Sequence, residues 1–282
     1  MIIDAHVHVW DLVAADYAWP NETVPRLYRT FTVEDLAPAL DAHGIDGVVL
    51  VQADDTAADT ENMFAEAARS PRVRGVVAWA DLSADAEHFA AEMGSLRRRP
   101  RFVGLRNLSH VKADPHWIRG RAQQENIGHL ASIAVPLDMV TSVHAELGEV
   151  TYTLERHPTV RVVLDHLGKP PVGGTDRDRA EWAARLRDIA SAPQTTAKVS
   201  GLSSSVGPLD AWTVDQVVPF VEDAMQIFGP ERLMFGGDWP LAILAGGYDR
   251  VWDAVGTALG SLTQTERAAV LGGTATRVYD LR

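Results

Sequence analysis

Two histidines separated by one residue, His6 and His8, lie in the opening segment IDAHVHVW. Side chains two positions apart on a β-strand point to the same side. If a strand ends at this point, both imidazoles can converge on one metal ion or on one oxygen atom of a substrate. An H-x-H pattern also occurs on ordinary protein surfaces, so its meaning depends on the fold around it.

A carboxylate follows another apolar segment near the other end of the chain. Asp238 comes directly after LMFGG and directly before Trp239-Pro240. An aspartate at the carboxyl end of a barrel strand suits a general base or a metal ligand. The alternative is a loop aspartate that caps the next turn. We expect Trp239 and Pro240 to stiffen this loop and to shield Asp238 from solvent.

Three further polar residues, Arg106, His144 and His166, end apolar segments in the middle of the chain. A guanidinium at a barrel mouth would bind a carboxylate or polarise a carbonyl oxygen, or it would form an ion pair at the rim. Two interpretations are open for His144: its side chain faces the mouth, or the residue starts the following helix. Asp165 points outward or orients His166, and Lys198 points into the barrel or toward the helices. Among the other histidines, only positions 110 and 116 are expected near the mouth.

Short β-branched segments alternate with helical patterns along the whole chain. Strands are predicted at residues 2–7, 48–52, 73–79, 102–106, 137–143, 160–164, 195–199 and 233–235. Several are apolar on both faces, as parallel strands covered by helices should be. Eight strands, each followed by a helix, predict an α/β fold of the (β/α)8 TIM-barrel type, with residues 1–282 as a single domain.

Helix starts are marked by a threonine with an acidic or amide residue three positions later. These capping boxes are Thr32 with Asp35, Thr213 with Gln216, and Thr263 with Glu266. The segments at 10–31, 168–177 and 201–212 follow strands 1, 6 and 7, so they should lie at the mouth where substrates bind. Aromatic residues of the first segment are expected to wall the pocket: Trp10, Tyr17, Trp19 and Tyr28.

The composition disfavours two classes of partner and limits the choice of metal ligands. The chain carries 26 basic and 38 acidic side chains, a net charge of −12, which disfavours nucleic acids and anionic membranes. It has no cysteine, so any metal must be held by histidine and carboxylate. The first residues do not form an export signal, and no apolar segment approaches bilayer length. We therefore expect a cytoplasmic protein and leave a homo-oligomer open.

The chain resembles the amidohydrolase superfamily, in particular the "amidohydrolase 2" branch of sugar-lactone and muconolactone hydrolases such as the L-fucono- and L-rhamnono-lactonase-like proteins. The resemblance runs through DAHVHVWD, GVVLVQA, GVVAWADL, FVGLRNL, VVLDHLGKP, AKVSGL and RLMFGGDWP, of which VVLDHLGKP and GGDWP are the most specific. It implies a distorted barrel and the hydrolysis of lactone esters. The matched functional positions are His6, His8, Arg106, His166 and Asp238.

Two positions depart from the branch, where a histidine often follows the strand-4 arginine and a serine often precedes the strand-8 aspartate. This chain has Asn107 and Gly237 there. Position 144 varies within the branch. Some of its members use a divalent ion and others do not need one, so the resemblance leaves the metal open.

The resemblance implies hydrolysis of a small sugar 1,4- or 1,5-lactone to its hydroxy acid, an activity of carbohydrate metabolism. Asp238 would take a proton from water and return it to the ring oxygen. His6, His8 and His166 would polarise the carbonyl, with or without zinc. Substrate contacts are expected from Arg106, Asn107, Trp10, Tyr17, Trp19 and Trp239.

One zinc-like ion could be held by His6, His8 and Asp238, with His144 as a candidate fourth ligand, because strands 1, 5 and 8 reach the same mouth. The alternative enzyme is a metal-dependent decarboxylase of an aromatic or unsaturated acid on the same barrel. DHLGKP and GGDWP favour the lactonase. A non-catalytic scaffold is disfavoured, because polar side chains buried at strand ends would be costly without a task.

Overall fold

Eight parallel strands form one sheet in which each strand pairs with its neighbour in the sequence. The computed structural model describes residues 1–205 and 211–282, so residues 206–210 of the predicted 201–212 loop lie outside the described residues. The strands are β1 (Ile3–Val7), β2 (Gly47–Val51), β3 (Val73–Ala78), β4 (Phe102–Asn107), β5 (Leu137–Met139), β6 (Val162–Leu164), β7 (Thr196–Val199) and β8 (Leu233–Phe235).

The sheet closes where the segment after β8 meets β1. Asp238 N donates to His6 O at 2.9 Å, and His8 N donates to Trp239 O at 2.7 Å. Val7 and Trp239 form an isolated parallel bridge between these hydrogen bonds. The predicted (β/α)8 barrel is therefore confirmed, and its closing seam lies at the carboxyl ends of β1 and β8.

Helices surround the barrel. They are α1 (Val33–His43), α2 (Ala57–Arg69), α3 (Ala86–Leu96), α4 (Arg121–Ser132), α5 (Leu147–Arg156), α6 (Asp176–Ala190), α7 (Val214–Phe228), α8 (Tyr248–Ala258), α9 (Gln264–Ala268) and α10 (Thr274–Val278). The three predicted capping boxes begin α1, α7 and α9. In the part of the chain that the structure describes, no helix is long and apolar enough to cross a membrane.

An extra residue in β1 decides which of its side chains face the interior. Asp4 pairs with Val48 but Val7 pairs with Leu50, so three residues of β1 span two of β2. This β-bulge shifts the alternation of the strand. Asp4 is turned toward α8, where Tyr248 Oη donates to it at 2.7 Å. His6, two residues later, contacts side chains inside the barrel instead.

The lower part of the barrel is filled by apolar side chains and by the C-terminal segment. Ile3, Val49 and Met234 pack with Tyr279 and Leu281, all fully or nearly fully buried. The Tyr279 hydroxyl reaches Asp138 on β5, with its oxygen 2.8 and 2.9 Å from the two carboxylate oxygens. This apolar floor excludes water from the polar layer above it.

The predicted fifth strand is too long. β5 ends at Met139, four residues before the predicted end. The Glu146 carboxylate accepts hydrogen bonds from Ser142 N at 2.7 Å and Ser142 Oγ at 2.6 Å, which turns the chain away from the sheet. His144 consequently starts a 3-10 turn, His144–Glu146, and does not end a strand.

Candidate active site and metal centre

The barrel seam fixes Asp238 beside the two strand-1 histidines. The two seam hydrogen bonds align the backbone of Asp238 with His6 and that of His8 with Trp239. Asp238 has a φ of 52°, a left-handed conformation that is unfavourable for a non-glycine residue. Its side chain is buried, and Oδ1 has no hydrogen-bond partner among residues 1–205 and 211–282. Strain and an unpaired buried oxygen are features of functional sites.

Three ligand-type atoms meet at this point. His6 Nε2 and His8 Nε2 are 3.1 Å apart, and Asp238 Oδ1 lies 3.8 Å from the first and 3.6 Å from the second. Atoms that each lie about 2.0–2.2 Å from one tetrahedral ion are about 3.4 Å from one another. The unpaired Asp238 oxygen and the imidazole pair therefore fit one zinc-like ion with an open fourth position. His166 is also near, since one ligand atom each from His6, His166 and Asp238 lie within 4.8 Å of one another.

His166 stands over His6 on a strained turn. The turn Asp165–Gly168 follows β6, with φ values of 54° at His166 and 52° at Leu167. The His166 ring centroid is 4.6 Å from that of His6, and its Nδ1 shares a hydrogen bond with Ser200 Oγ at 2.9 Å. Burial lowers the pKa of His166 to about 3, so the ring is neutral near pH 7.

Gly201 explains how the loop after β7 can approach this cluster. It has a φ of 56°, and a Cβ there would collide with His166 Nδ1 and lie 2.8 Å from Asp238 Oδ2. A side chain at position 201 would thus displace both groups, so only glycine fits.

The electrostatics of the cluster keep Asp238 ionised. Burial alone would raise its pKa, but His166, His8 and His6 outweigh this effect and hold the pKa below the ordinary range. Burial also lowers the pKa of His6 well below its usual value. Near pH 7 the site therefore combines one carboxylate with neutral imidazoles at His6 and His166.

A layer of buried charges lies directly beneath the histidines. Lys198 points into the barrel, with Nζ 2.5 Å from Asp138 Oδ2 and 3.1 Å from Asp165 Oδ1. Asp165 Oδ1 is also 3.3 Å from His6 Nδ1, and Arg106 Nε is 3.0 Å from Asp165 Oδ2. The predictions that Asp165 points outward or orients His166 are both wrong. The β6 alternation that buries Val163 in the barrel also turns Asp165 inward, under His6.

A cavity of about 260 Å³ opens above this layer. It is lined by His8, Trp10, Trp19, Ala53, Arg106, Leu108, His110, Val111 and Leu241. Burial and the charge of Arg106 lower the pKa of His110 to about 4. Trp10 and Trp19, which were expected to wall the pocket, therefore line the cavity together with His110. His116 lies away from it, exposed and paired with Glu149 at 2.8 Å.

A smaller apolar cavity of about 90 Å³ adjoins the other side of Asp238. Trp19 and Leu241 border both cavities. Trp212, Val217 and Ala245 are among the side chains that line the smaller one. Both cavities have mainly apolar walls, and the larger one also carries the polar side chains of His8, Arg106 and His110.

Several predicted substrate residues are occupied by structural contacts. The Tyr17 hydroxyl donates to Asp59 at 2.9 Å, and Asn107 Nδ2 donates to Ala80 O at 3.1 Å. Trp239 packs edge-on against Phe31 at 5.2 Å and does not line either cavity. Tyr28 is 45% exposed. Asn107 and Trp239 therefore make structural contacts near the mouth and line neither cavity.

His144, the candidate fourth ligand, is not brought to the cluster. Because β5 ends early, the residue sits half-buried on its own turn, close enough to Asp178 of α6 to interact with it electrostatically. The ligand group found within the described residues contains His6, His166 and Asp238 but not His144.

Asp138 was missed by sequence reasoning, and the direction of Lys198 was left open. Both belong to strands whose residues are all buried, LDM and TAKV, with one charged residue each. A lone charge inside a buried strand must find a buried partner. Two such charges of opposite sign on β5 and β7 were the available signal.

Comparison with known proteins agrees with this geometry. The amidohydrolase family model matches residues 3–281. An L-fucono-1,5-lactonase from Burkholderia ambifaria is 35% identical over 246 residues, 86% of this chain and 82% of the relative. An L-fucono-1,5-lactonase from Burkholderia multivorans is 34% identical over 291 residues, 99% of this chain and 96% of the relative.

Solved structures show the same barrel. A Burkholderia multivorans amidohydrolase with bound zinc has a TM-score of 0.92 and 31% identity, with both chains fully covered. A 2,6-dihydroxybenzoate decarboxylase has a TM-score of 0.69 at 14% identity, over 99% of each chain, and is a likeness of fold alone. On the family match and the two relatives above 30% identity, the chain belongs to the amidohydrolase family.

Proposed function

We propose that the protein hydrolyses a sugar lactone to the open-chain hydroxy acid, with Asp238 as the general base. One observation carries the proposal. Asp238 is a buried, ionised carboxylate whose Oδ1 is unpaired within the described chain and lies 3.6–3.8 Å from two imidazole nitrogens at the barrel mouth. A water molecule held there would meet a proton acceptor on one side and polarising groups on the other.

The residues divide the work of hydrolysis. Asp238 accepts a proton from water as the water oxygen bonds to the lactone carbonyl carbon. The bond between this carbon and the ring oxygen then breaks, and the ring oxygen takes the proton from Asp238. Zinc, when bound by His6, His8 and Asp238, would polarise the carbonyl and lower the pKa of water. The product is a carboxylic acid that ionises, so each turnover releases one proton near pH 7.

We infer that the neutral imidazole of His166 and the guanidinium of Arg106 bind substrate oxygen atoms. His166 is fixed by Ser200, and Arg106 is fixed by Asp165 and by a hydrogen bond from Nη1 to Gln52 O at 3.0 Å. Groups held this way need little reorganisation when a substrate oxygen approaches. Trp10 and Trp19 add flat apolar walls, which suit the C–H face of a sugar ring.

The first substrate to test is L-fucono-1,5-lactone, the substrate named for two relatives at 34–35% identity. Fucose lacks the hydroxyl at carbon 6, and a methyl group suits the apolar cavity beside Asp238. L-Galactono-1,5-lactone, which carries that hydroxyl, is the matched comparison. Burying an unpaired hydroxyl costs about 1–3 kcal/mol, so we expect about 10–100-fold lower kcat/KM for the galactono compound.

The experiment is proton release from a lactone panel, followed with a pH indicator and corrected for spontaneous hydrolysis. We expect catalysed turnover that disappears in Asp238→Asn. Turnover of no lactone, together with release of carbon dioxide from hydroxybenzoates, would replace the lactonase with the decarboxylase.

A further inference from the structure

Three side chains and one backbone carbonyl form a chain of polar contacts through the candidate metal site. Lys198 Nζ is 3.1 Å from His6 Nδ1, His6 Nε2 is 3.1 Å from His8 Nε2, and His8 Nδ1 is 2.8 Å from Val51 O. Lys198 and His6 are fully buried and His8 is 5% exposed. Each nitrogen in this line must therefore be paired within the protein.

The direction of these hydrogen bonds follows from the end of the line. A carbonyl oxygen only accepts, so His8 Nδ1 carries a proton, and neutral His8 has a bare Nε2. His6 Nε2 must then donate to His8 Nε2, which leaves His6 Nδ1 bare. Lys198 has only protons to give, and it donates to that nitrogen. All three contacts are satisfied by one arrangement of protons when no ion is bound.

An ion at His6, His8 and Asp238 requires a different arrangement. Both Nε2 atoms must then be bare, and only His8 is already in that form. His6 must carry its proton on Nδ1, where it needs an acceptor. Asp165 Oδ1 lies 3.3 Å from this nitrogen and is a buried oxygen that accepts no hydrogen bond from the described residues.

We propose that Lys198 and Asp165 are alternative partners for His6 Nδ1, and that filling the metal site moves the ring proton of His6 from Nε2 to Nδ1. The ring loses one proton and gains one, so it stays neutral. Lys198 and Asp165 are thus positioning residues that act through His6. The proposal rests on the metal site of the proposed function but not on the lactone.

The surrounding contacts allow this exchange without leaving a charge unpaired. When Lys198 no longer donates to His6, it keeps Asp138 at 2.5 Å and Asp165 at 3.1 Å. Asp165 is held in place by Arg106 at 3.0 Å in either state. The exchange therefore needs a relocated proton and no movement of a side chain.

The direct test is nitrogen-15 NMR of the histidine rings in the wild-type protein, metal-free and with zinc added. Long-range correlations show which ring nitrogen carries the proton. We expect His6 to change from Nε2–H to Nδ1–H on zinc addition, while His8 stays Nδ1–H. Signals are assigned from His6→Asn and His8→Asn. The same His6 tautomer in both states, or an Nε2–H form of His8, would overturn the proposal.

Zinc affinity of variants gives a second readout. Asp165→Asn removes the acceptor for Nδ1–H, and loss of such a partner typically weakens metal binding about 10–100-fold. Asp138→Asn is the matched control, because it removes a nearby buried charge that does not contact His6. Lys198→Met removes the competing donor and should bind zinc no more weakly than wild type. Equal losses in Asp165→Asn and Asp138→Asn would show a charge effect alone and contradict the proposal.

The experiments distinguish a failure of the proton relocation at His6 from a failure of the proposed lactonase activity. An unchanged His6 tautomer in a protein that hydrolyses lactones removes only the proton relocation. A tautomer change in a protein that turns over no lactone removes only the proposed substrate. If Asp165→Asn does not fold, the wild-type NMR experiment still decides the matter.

Discussion

Arg106 Nε lies 3.0 Å from Asp165 Oδ2, and this ion pair joins β4 to the end of β6 in the barrel interior. The two side chains are 5% and 0% exposed, so water does not screen the pair. Because Asp165 also contacts His6, the guanidinium has a structural role in addition to its place in the cavity wall. Arg106 thus links the cavity wall to the position of the histidines.

Replacing Arg106 should reveal both roles. Arg106→Ala leaves Asp165 with Lys198 as its remaining cation, and breaking a buried ion pair costs about 3–5 kcal/mol. We expect a lower free energy of unfolding in urea together with a raised KM. Arg106→Lys is the control, since it keeps the charge and loses the hydrogen bond from Nη1 to Gln52 O. Wild-type stability in Arg106→Ala would refute the structural role.

Replacing Asp238 should remove catalysis while the fold persists. Asp238→Asn keeps the volume of the side chain, but an amide cannot accept a proton from water. Loss of a positioned base typically lowers kcat about 10²–10⁴-fold. Rates from proton release and circular dichroism of the same sample measure both properties. Asp249→Asn, at a 76% exposed aspartate on α8, is the control and should retain activity. More than a tenth of wild-type kcat in Asp238→Asn would exclude the general-base role.

The fold was predictable because its signals are local. Apolar strands such as GVVLV and the threonine capping boxes act over a few residues, and the structure confirms them. The end of β5 was not predictable in this way. It depends on hydrogen bonds from Ser142 to Glu146, a turn that competes with a sequence whose β-branched residues favour a strand.

The site was predictable only in part. The H-x-H pair and the strand-8 aspartate are marked by spacing, and the structure brings His6, His8 and Asp238 together. The contact between His6 and the charge layer depends on the β-bulge in β1, and the layer itself depends on pairing between strands far apart in the chain. Asp165 and Lys198 are 33 residues apart, and neither local sequence identifies the other residue as its partner.

Burial of Asp59 should make stability depend on pH. Burial raises its pKa to about 6, against the lowering effect of hydrogen bonds from Ala53 N and Tyr17. The folded state therefore holds this proton more tightly than the unfolded state, where the pKa is 3.8. The contribution of Asp59 to stability is largest below pH 3.8 and is lost as the pH rises to about 6. Two units of pKa correspond to about 3 kcal/mol.

The measurement is the difference in unfolding free energy between wild type and Asp59→Asn at several pH values. Subtraction cancels the other titrating groups. We expect the variant to gain stability relative to wild type between pH 4 and pH 6, by at most about 3 kcal/mol. A difference that does not change with pH would show that the pKa of Asp59 is ordinary.

Zinc affinity should distinguish His8 from His144, which the sequence both offered as zinc ligands. His8→Asn removes one of three ligand-type atoms, so we expect zinc affinity to fall by more than the about 10–100-fold that loss of an indirect partner costs. His144→Asn is the matched control, because His144 lies on its own turn beside α6 and outside the ligand group found in the described residues. The zinc affinity of His144→Asn should equal that of wild type.

Zinc binding is measured by titration of metal-free protein and by the rise in melting temperature, since zinc at 100 times its Kd stabilises the folded state by about 2.7 kcal/mol. A large loss in His144→Asn would mean that the turn His144–Glu146 rearranges toward the mouth when zinc binds. Equal affinities in all three proteins would instead leave His6, His166 and Asp238 as the ligand set, because their ligand atoms also lie within 4.8 Å of one another.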